Sequence, residues 1–112
     1  QSYGVDGLWV SNHGGRQFDG APAAIDVLPQ VRAKTDLPII FDSGVEGGLD
    51  MMRAIALGAD MVMLGRAWHY ALAALGAKGP AHLADILQKD LVSCMGQIGV
   101  NRPKEAASRL IT

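Results

Sequence analysis

Apolar residues in this chain alternate between short continuous runs and longer stretches with helical spacing. Three continuous runs have the length of buried strands and predict strands at residues 7–12, 37–44 and 59–66. After each run, apolar residues recur every three or four positions, which predicts helices at residues 21–35, 48–58 and 67–77. Gly58 is the predicted stop of the second helix. A further helix is predicted at residues 80–99, with Pro80 in its first turn, and a short exposed helix at residues 102–112.

Strands of this buried type alternating with helices predict an α/β fold with a parallel sheet that is covered by helices on both faces. The length fits one domain. A closed (β/α)8 barrel takes about 250 residues, so three βα units fall well short of one. The opening QSYGVDG is typical of a last helical turn running into a strand, and we expect the chain to begin inside a βα repeat. An open sheet leaves two edges to cover, so either copies associate or the chain is part of a larger barrel.

The composition narrows the class of protein. A formal net charge of -1 argues against a nucleic-acid partner, which would require a basic stripe. The single cysteine, Cys94, cannot form an internal disulfide and offers no metal cluster, which suits a reducing compartment. The apolar stretch at residues 67–77 is too short to span a bilayer, and no signal peptide is recognised at the start. We therefore expect a cytoplasmic protein without a metal site.

Polar residues follow the first predicted strand at once, in the sequence SNHGGRQ (11–17). In parallel βα folds, chemistry collects where strands end and helices begin. His13 can serve as a base because imidazole titrates near neutral pH, and Arg16 can hold a carboxylate through two parallel hydrogen bonds. A lone loop histidine is more often an ordinary surface residue, but the adjoining glycines and Arg16 favour catalysis here. His69 and His82 fall within helical patterns and are interpreted as structural.

Glycines and an arginine follow the next two predicted strands. DSGVEGG (42–48) comes after the second strand, and Gly65 and Arg66 end the third. Glycine lets the backbone approach a ligand closely, amides at a helix N-terminus face anions, and a guanidinium group matches phosphate oxygens. Together the two segments favour a phosphate site, to which Gly47 and Gly48 would contribute as the start of a helix. The alternative is that these glycines only make tight turns.

The segments SNHGGRQFDG (11–20) and FDSGVEGGLDMMRAIALGADMVMLGR (41–66) resemble the C-terminal part of one flavoenzyme family. This is the FMN-dependent α-hydroxy-acid dehydrogenase/oxidase family, which includes L-lactate dehydrogenase, glycolate oxidase and mandelate dehydrogenase. The resemblance covers nearly the whole chain, and SNHGGRQ is its more specific motif. It implies that residues 1–112 form the C-terminal part of one barrel domain: the last three βα units (strands 6–8) of a (β/α)8 TIM barrel, plus C-terminal helices.

The resemblance also implies roles for individual residues. His13 would be the base, Arg16 would hold the substrate carboxylate and Ser11 would contact the flavin. The ribityl and phosphate groups of FMN would be bound by Asp42, Ser43, Gly44, Gly65 and Arg66. The implied reaction oxidises an L-2-hydroxy acid, such as L-lactate, to the 2-oxo acid, and its two electrons pass to FMN as a hydride or through a carbanion. Full-length members of the family further imply a homotetramer and, in some cases, peripheral attachment to the inner membrane.

The sequence departs from the family pattern in two ways. Glu46 stands where the family carries an arginine at the FMN phosphate, so either Glu46 turns outward or FMN affinity is reduced. The resemblance further implies that the chain lacks the N-terminal barrel portion, which would supply a flavin-facing lysine, substrate-contacting tyrosines, a further arginine and the aspartate that orients the base. We therefore expect the chain alone to be inactive or nearly so. The competing interpretations are a self-associating βα module that binds a phosphate ligand without catalysis and another phosphate-binding barrel enzyme, which would not explain SNHGGRQ.

Overall fold

The structure, a computed structural model, describes residues 3–111. Its strands and α-helices alternate along the chain as β1 (Leu8–Val10), α1 (Ala24–Arg32), β2 (Ile39–Phe41), α2 (Gly48–Ala56), β3 (Met61–Val62), α3 (Arg66–Leu75) and α4 (Gly79–Ile98). Short 3-10 segments lie at His13–Gly15, Gly76–Lys78 and Pro103–Arg109. The strands form one parallel sheet in the order β1-β2-β3. The predicted α/β arrangement of three βα units is therefore confirmed.

The main core lies between one face of the sheet and the helices α1 and α2. Successive side chains of a strand point to opposite faces, and Ile39 and Phe41 of β2 point to the helical side. They are 0% and 2% exposed, and Leu28 of α1 is equally buried. Full burial of side chains of this size stabilises a fold by about 1.5–3 kcal/mol each. This packing fixes the strands, and with them the loops at their carboxyl ends.

The opposite face of the sheet is not covered by residues 3–111. Trp9, Ile40 and Met61 lie side by side across the three strands on this face. Trp9 is 59% exposed and Met61 57% exposed. The prediction that helices cover both faces is wrong for this chain, because α1 and α2 pack into one core cluster, α4 packs on α2, and α3 packs on α4. The strands carry an apolar second face, but the described residues do not bury it.

The strands are shorter than the apolar runs predicted. After β1 the backbone turns away from the sheet, since the Asn12 amide donates to the Ser43 hydroxyl (3.2 Å) and the His13 amide to the Ser11 hydroxyl (3.1 Å). The prediction that Arg66 ends the third strand is also wrong, because Gly65 caps α3 and Arg66 is the first residue of that helix. The polar motifs therefore form loops beyond the sheet.

The helix ends follow the glycine signals, and the tail follows its prediction in part. Gly58, with φ of 113°, lies just after α2, where a stop was predicted. The tail forms the 3-10 segment Pro103–Arg109, and its Ala106 is only 3% exposed because it packs with Met52 of α2 and Val100. The expected short, exposed helix is therefore found in part, as a 3-10 segment that is mostly exposed but buries Ala106. The segment QSYGVDG (1–7) is predicted to be the end of a helix. Its first two residues lie outside the described residues, and residues 3–7 contain neither helix nor strand.

Arg32, the last residue of α1, makes hydrogen bonds at the amino ends of the strands, opposite the polar loops that follow their carboxyl ends. Its guanidinium donates to the Asp60 carboxylate (3.1 Å), to the Leu37 carbonyl (2.8 Å) and to the Thr35 carbonyl. Asp60 also accepts the Ile39 amide at 3.0 Å. This network fixes the amino ends of the strands. Among residues 3–111, no helix is long and apolar enough to cross a membrane.

Candidate functional site at the carboxyl ends of the strands

Residues 11–17, called the His13 loop below, contain a left-handed turn. His13, Gly14 and Gly15 have φ values of 57°, 62° and 73°. This region is open to glycine, but for a residue with a Cβ it costs about 1–2 kcal/mol. The turn persists because two hydroxyl groups accept its backbone amides. Ser43 Oγ accepts the amides of Asn12 and Gly14, both at 3.2 Å, while Ser11 Oγ accepts the His13 amide at 3.1 Å.

Asp42 and Ser43, directly after β2, link this loop to the sheet. The Ser43 hydroxyl donates to Asp42 Oδ1 at 2.7 Å, and Asp42 Oδ2 accepts the indole N–H of Trp9 at 2.9 Å. Ser11 Oγ lies 3.4 Å from Ser43 Oγ. Ser43 itself has a φ of 83°, another backbone conformation that side chains rarely adopt. Polar residues from two strand ends are thus joined in one hydrogen-bonded group.

The third strand end supplies a cation and a helix N-terminus. Gly65 caps α3, whose first amides have no acceptor within the helix and therefore favour an anion. A Cβ added at Gly65 or Gly44 would meet no atom within 4 Å, so the backbone at both positions faces open space. A Cβ at Gly14 would lie 3.7 Å from Nη2 of Arg66. The Arg66 guanidinium therefore lies beside the His13 loop and connects the first and third strand ends.

A cleft of about 580 Å³ collects these groups. Seven of the predicted site residues line it, namely His13, Arg16, Asp42, Ser43, Gly44, Gly65 and Arg66, whereas Ser11, Gly47 and Gly48 do not. Its volume lies within the usual range of about 300–1,000 Å³ for small-molecule sites. A neighbouring cleft of about 420 Å³ shares Arg66 and reaches Asn12, whose buried Oδ1 has no hydrogen-bond partner among the described residues. That acceptor is free for a donor on a bound molecule or water.

Three residues with aromatic rings line the cleft wall but were not singled out from the sequence as site residues. Trp9 binds Asp42, and its place on the open face follows from strand alternation, which is the signal that could have identified it. His69 and Tyr70, on α3, also line the cleft. His69 Nδ1 lies 3.1 Å from the Gly65 carbonyl, a contact within the first turn of the helix.

Gly47 and Gly48 do not belong to an anion site, contrary to the sequence prediction. The Gly48 amide donates to the Asp90 carboxylate of α4. A Cβ at Gly48 would lie 2.5 Å from the carbonyl carbon of Asp90, and one at Gly47 would lie 2.9 Å from Asp90 Oδ2. An internal carboxylate therefore caps α2, and these glycines permit α4 to pack closely against it. Any phosphate is left to Gly44, Gly65 and Arg66.

Glu46, the departure from the family pattern, also lines the 580 Å³ cleft. Its backbone amide donates to Asp50 Oδ2 at 3.2 Å, while its side chain is exposed. The Glu46 carboxylate would repel a phosphate bound between Gly44 and Arg66. Solvent screening would weaken that repulsion.

Known proteins with similar sequences include L-lactate dehydrogenases and an L-lactate oxidase. The chain is 47% identical over 108 residues to L-lactate dehydrogenase of Chromohalobacter salexigens, covering 95% of this chain and 28% of that protein. It is 45% identical to L-lactate oxidase of Alicycliphilus denitrificans, covering 100% of this chain and 31% of that protein. It thus spans less than a third of the length of these relatives.

Solved structures agree in fold. A lactate oxidase from Pediococcus acidilactici superposes with a TM-score of 0.89 at 42% identity, covering 96% of this chain and 30% of that chain. A soluble mutant of the membrane-associated (S)-mandelate dehydrogenase from Pseudomonas putida gives a TM-score of 0.90 at 43% identity, covering 94% and 30%. All 112 residues also match the FMN-dependent dehydrogenase family. The resemblance seen in the sequence is confirmed: the chain belongs to the FMN-dependent dehydrogenase family.

Proposed function

We propose that this chain forms the last three βα units, strands 6–8, of a (β/α)8 barrel that oxidises a 2-hydroxy acid with FMN. The uncovered sheet face supports the barrel, because Trp9 and Met61 present an apolar surface where a barrel has its packed interior. The open edges of β1 and β3 are where further strands would pair. On this proposal residues 1–112 are the C-terminal part of one domain, and the chain alone is inactive.

The polar groups around the cleft suit the phosphate and hydroxyl groups of FMN. Arg66 and the N-terminus of α3 suit a phosphate, and the open backbone at Gly44 and Gly65 lets it approach. The Asp42 carboxylate already accepts two protein hydrogen bonds but has lone pairs left for the hydroxyls of a ribityl chain. Ser11 does not line the cleft, but it accepts the His13 amide and has its own O–H to donate, so it would contact the flavin only where the ring extends past the cleft wall. Ser43 would contribute through its backbone.

The His13 loop then provides the acid–base and binding groups. Arg16 holds the substrate carboxylate in a two-pronged ion pair, which fixes C2 and its hydroxyl relative to the base. His13 removes a proton from the bound 2-hydroxy acid and later releases it to solvent. FMN, when bound, supplies the acceptor for the two electrons released at C2, leaving a 2-oxo acid. The remainder of the barrel would supply the group that orients the His13 ring.

The substrate class follows from Arg16 and His13 together. A carboxylate and an adjacent oxidisable hydroxyl are what this pair recognises, and L-lactate or a similar L-2-hydroxy acid carries both. Arg16 is the cation available for that carboxylate, since Arg66 is assigned to the phosphate of FMN. A homotetramer in the cytoplasm, or at the inner membrane, completes the proposal.

The observation that carries this function is the gathering of His13, Arg16 and Arg66 in one cleft from two different strand ends. The test uses the complete natural polypeptide that contains the chain. We expect flavin absorbance, bleached without oxygen by L-lactate or another L-2-hydroxy acid but not by 3-hydroxybutyrate. The 3-hydroxy acid is the matched control, since it has the carboxylate but places its hydroxyl one carbon away. A protein that stays colourless after FMN addition would support the phosphate-binding module instead, and bound flavin that no 2-hydroxy acid bleaches would refute the substrate class.

A further inference from the structure

The Ser43 hydroxyl makes hydrogen bonds to two parts of the site, the His13 loop and Asp42. It accepts the amides of Asn12 and Gly14 and donates to Asp42 Oδ1. A hydroxyl has one hydrogen to give and two lone pairs to accept with. All three are used within the protein, so this side chain bonds a ligand only by giving up one of these contacts. The hydrogen bonds of this hydroxyl therefore serve to hold the His13 loop against Asp42.

The two accepted amides lie on either side of His13. His13 is held at a φ of 57°, which an unrestrained histidine would rarely adopt. The Ser43 bonds span 31 and 29 residues of sequence, so they fix the loop to the end of β2 rather than within itself. Arg16 follows directly after the same turn, and its amide donates to the His13 carbonyl at 3.3 Å. The positions of the base and of the carboxylate-binding arginine thus depend on one turn.

We infer that Ser43 is a positioning residue, whose hydroxyl holds His13 and Arg16 in the geometry that the reaction needs. This rests on the proposed function, in which those two residues act on the substrate. The effect is expected in the rate of the chemical step, because a displacement of about 1 Å in a reacting group can cost about a hundredfold. It is not expected in FMN binding, to which Ser43 contributes its backbone.

Two substitutions separate the hydroxyl from the backbone strain at the same position. Ser43→Ala removes the hydroxyl but keeps a Cβ at the φ of 83°. Ser43→Gly removes the same hydroxyl and also relieves that strain. The Ser43→Gly variant should therefore have the higher Tm of the two, while both lose the loop contacts equally. Ser93→Ala, an exposed serine on α4, is the matched control and should change neither property.

The experiment measures flavin reduction and amide hydrogen exchange in the FMN-loaded full-length protein. We expect both Ser43 variants to bind FMN and to lose at least about tenfold in kcat, with faster exchange at the amides of Asn12 and Gly14. The inference is overturned if activity recovers in Ser43→Gly, because the loss would then follow strain or stability rather than the hydroxyl. Unchanged exchange at these two amides overturns it as well. If the unsubstituted protein reduces no flavin, the proposed function falls, and the exchange rates alone still decide whether Ser43 holds the loop.

Discussion

Gly48 is the position where one added methyl group best distinguishes packing from ligand binding. A Cβ at this position would lie 2.5 Å from the Asp90 carbonyl carbon and 2.8 Å from Leu91 Cα, and it would also contact the Leu91 amide nitrogen. These are backbone atoms of α4, which cannot rotate aside as the end of a side chain can. Gly48→Ala therefore forces α2 and α4 apart and breaks the bond from the Gly48 amide to Asp90.

The expected loss of stability follows from three contributions. Overpacking a tight contact costs about 1–3 kcal/mol. Loss of a hydrogen bond to a charged acceptor costs about 1.5–3 kcal/mol. The better helix propensity of alanine returns up to about 1 kcal/mol. We expect Gly48→Ala to lower the free energy of unfolding by about 1.5–6 kcal/mol.

Urea unfolding of the full-length protein measures this change, and Gly96→Ala is its control. Gly96 lies inside α4, and a Cβ there would meet no atom within 4 Å, so its replacement should be neutral or stabilising by up to about 1 kcal/mol. The reasoning is refuted if Gly48→Ala unfolds like the wild type. If that variant is stable but binds FMN weakly, Gly48 belongs to the phosphate site after all.

Substitutions at two other positions, Glu46 and Arg32, test the charges of the chain. Glu46→Gln should lower the Kd for FMN because it removes a repulsion of the phosphate, and Glu46→Arg should lower the Kd further, to about a fifth or less of the wild-type value, because it adds an attraction. Fluorescence titration of the flavin measures both Kd values. If neither value changes, the Glu46 carboxylate does not lie near the phosphate. Arg32→Ala should reduce the free energy of unfolding by about 2–3 kcal/mol, since its 27% exposed side chain bonds Asp60 and three carbonyls. The control is Arg53→Ala, because the Arg53 side chain in its ion pair with Asp50 is 62% exposed, and this variant should lose less than about 0.5 kcal/mol. Chemical denaturation measures both variants. If Arg32→Ala and Arg53→Ala lose the same stability, the Arg32 network does not stabilise the fold.

The sequence was sufficient to predict the order of elements and the gathering of the site. Continuous apolar runs indicated buried strands, and polar residues after each run indicated the edge at which the loops meet. His13, Asp42 and Arg66 come from three different strand ends, yet the parallel topology alone predicts that they share one edge. Local pattern and topology were enough because neither depends on the detail of distant contacts.

Contacts between distant residues were beyond sequence reasoning. The Asp90 cap of α2 joins residues 42 positions apart, and nothing near Gly48 in the sequence distinguishes a glycine that faces a helix from one that faces a phosphate. The Ser43 bonds to the His13 loop are hidden in the same way. The apolar side chains of Trp9 and Met61 indicate that their face needs burial, but the pattern does not show what would bury it.

The most direct test of the proposed chemistry is the rate of flavin reduction in His13→Ala, measured by stopped flow in the full-length FMN-loaded protein with L-lactate or whichever L-2-hydroxy acid reduces the wild type. The account predicts that the flavin stays bound, because Arg66, Gly44 and Gly65 are unchanged, while its reduction by the substrate is lost. General-base removal costs about 10²–10⁴-fold in rate, so a residual slow reduction within that range agrees with it. A variant that holds FMN and is reduced at close to the wild-type rate would contradict the assignment of His13 as the base.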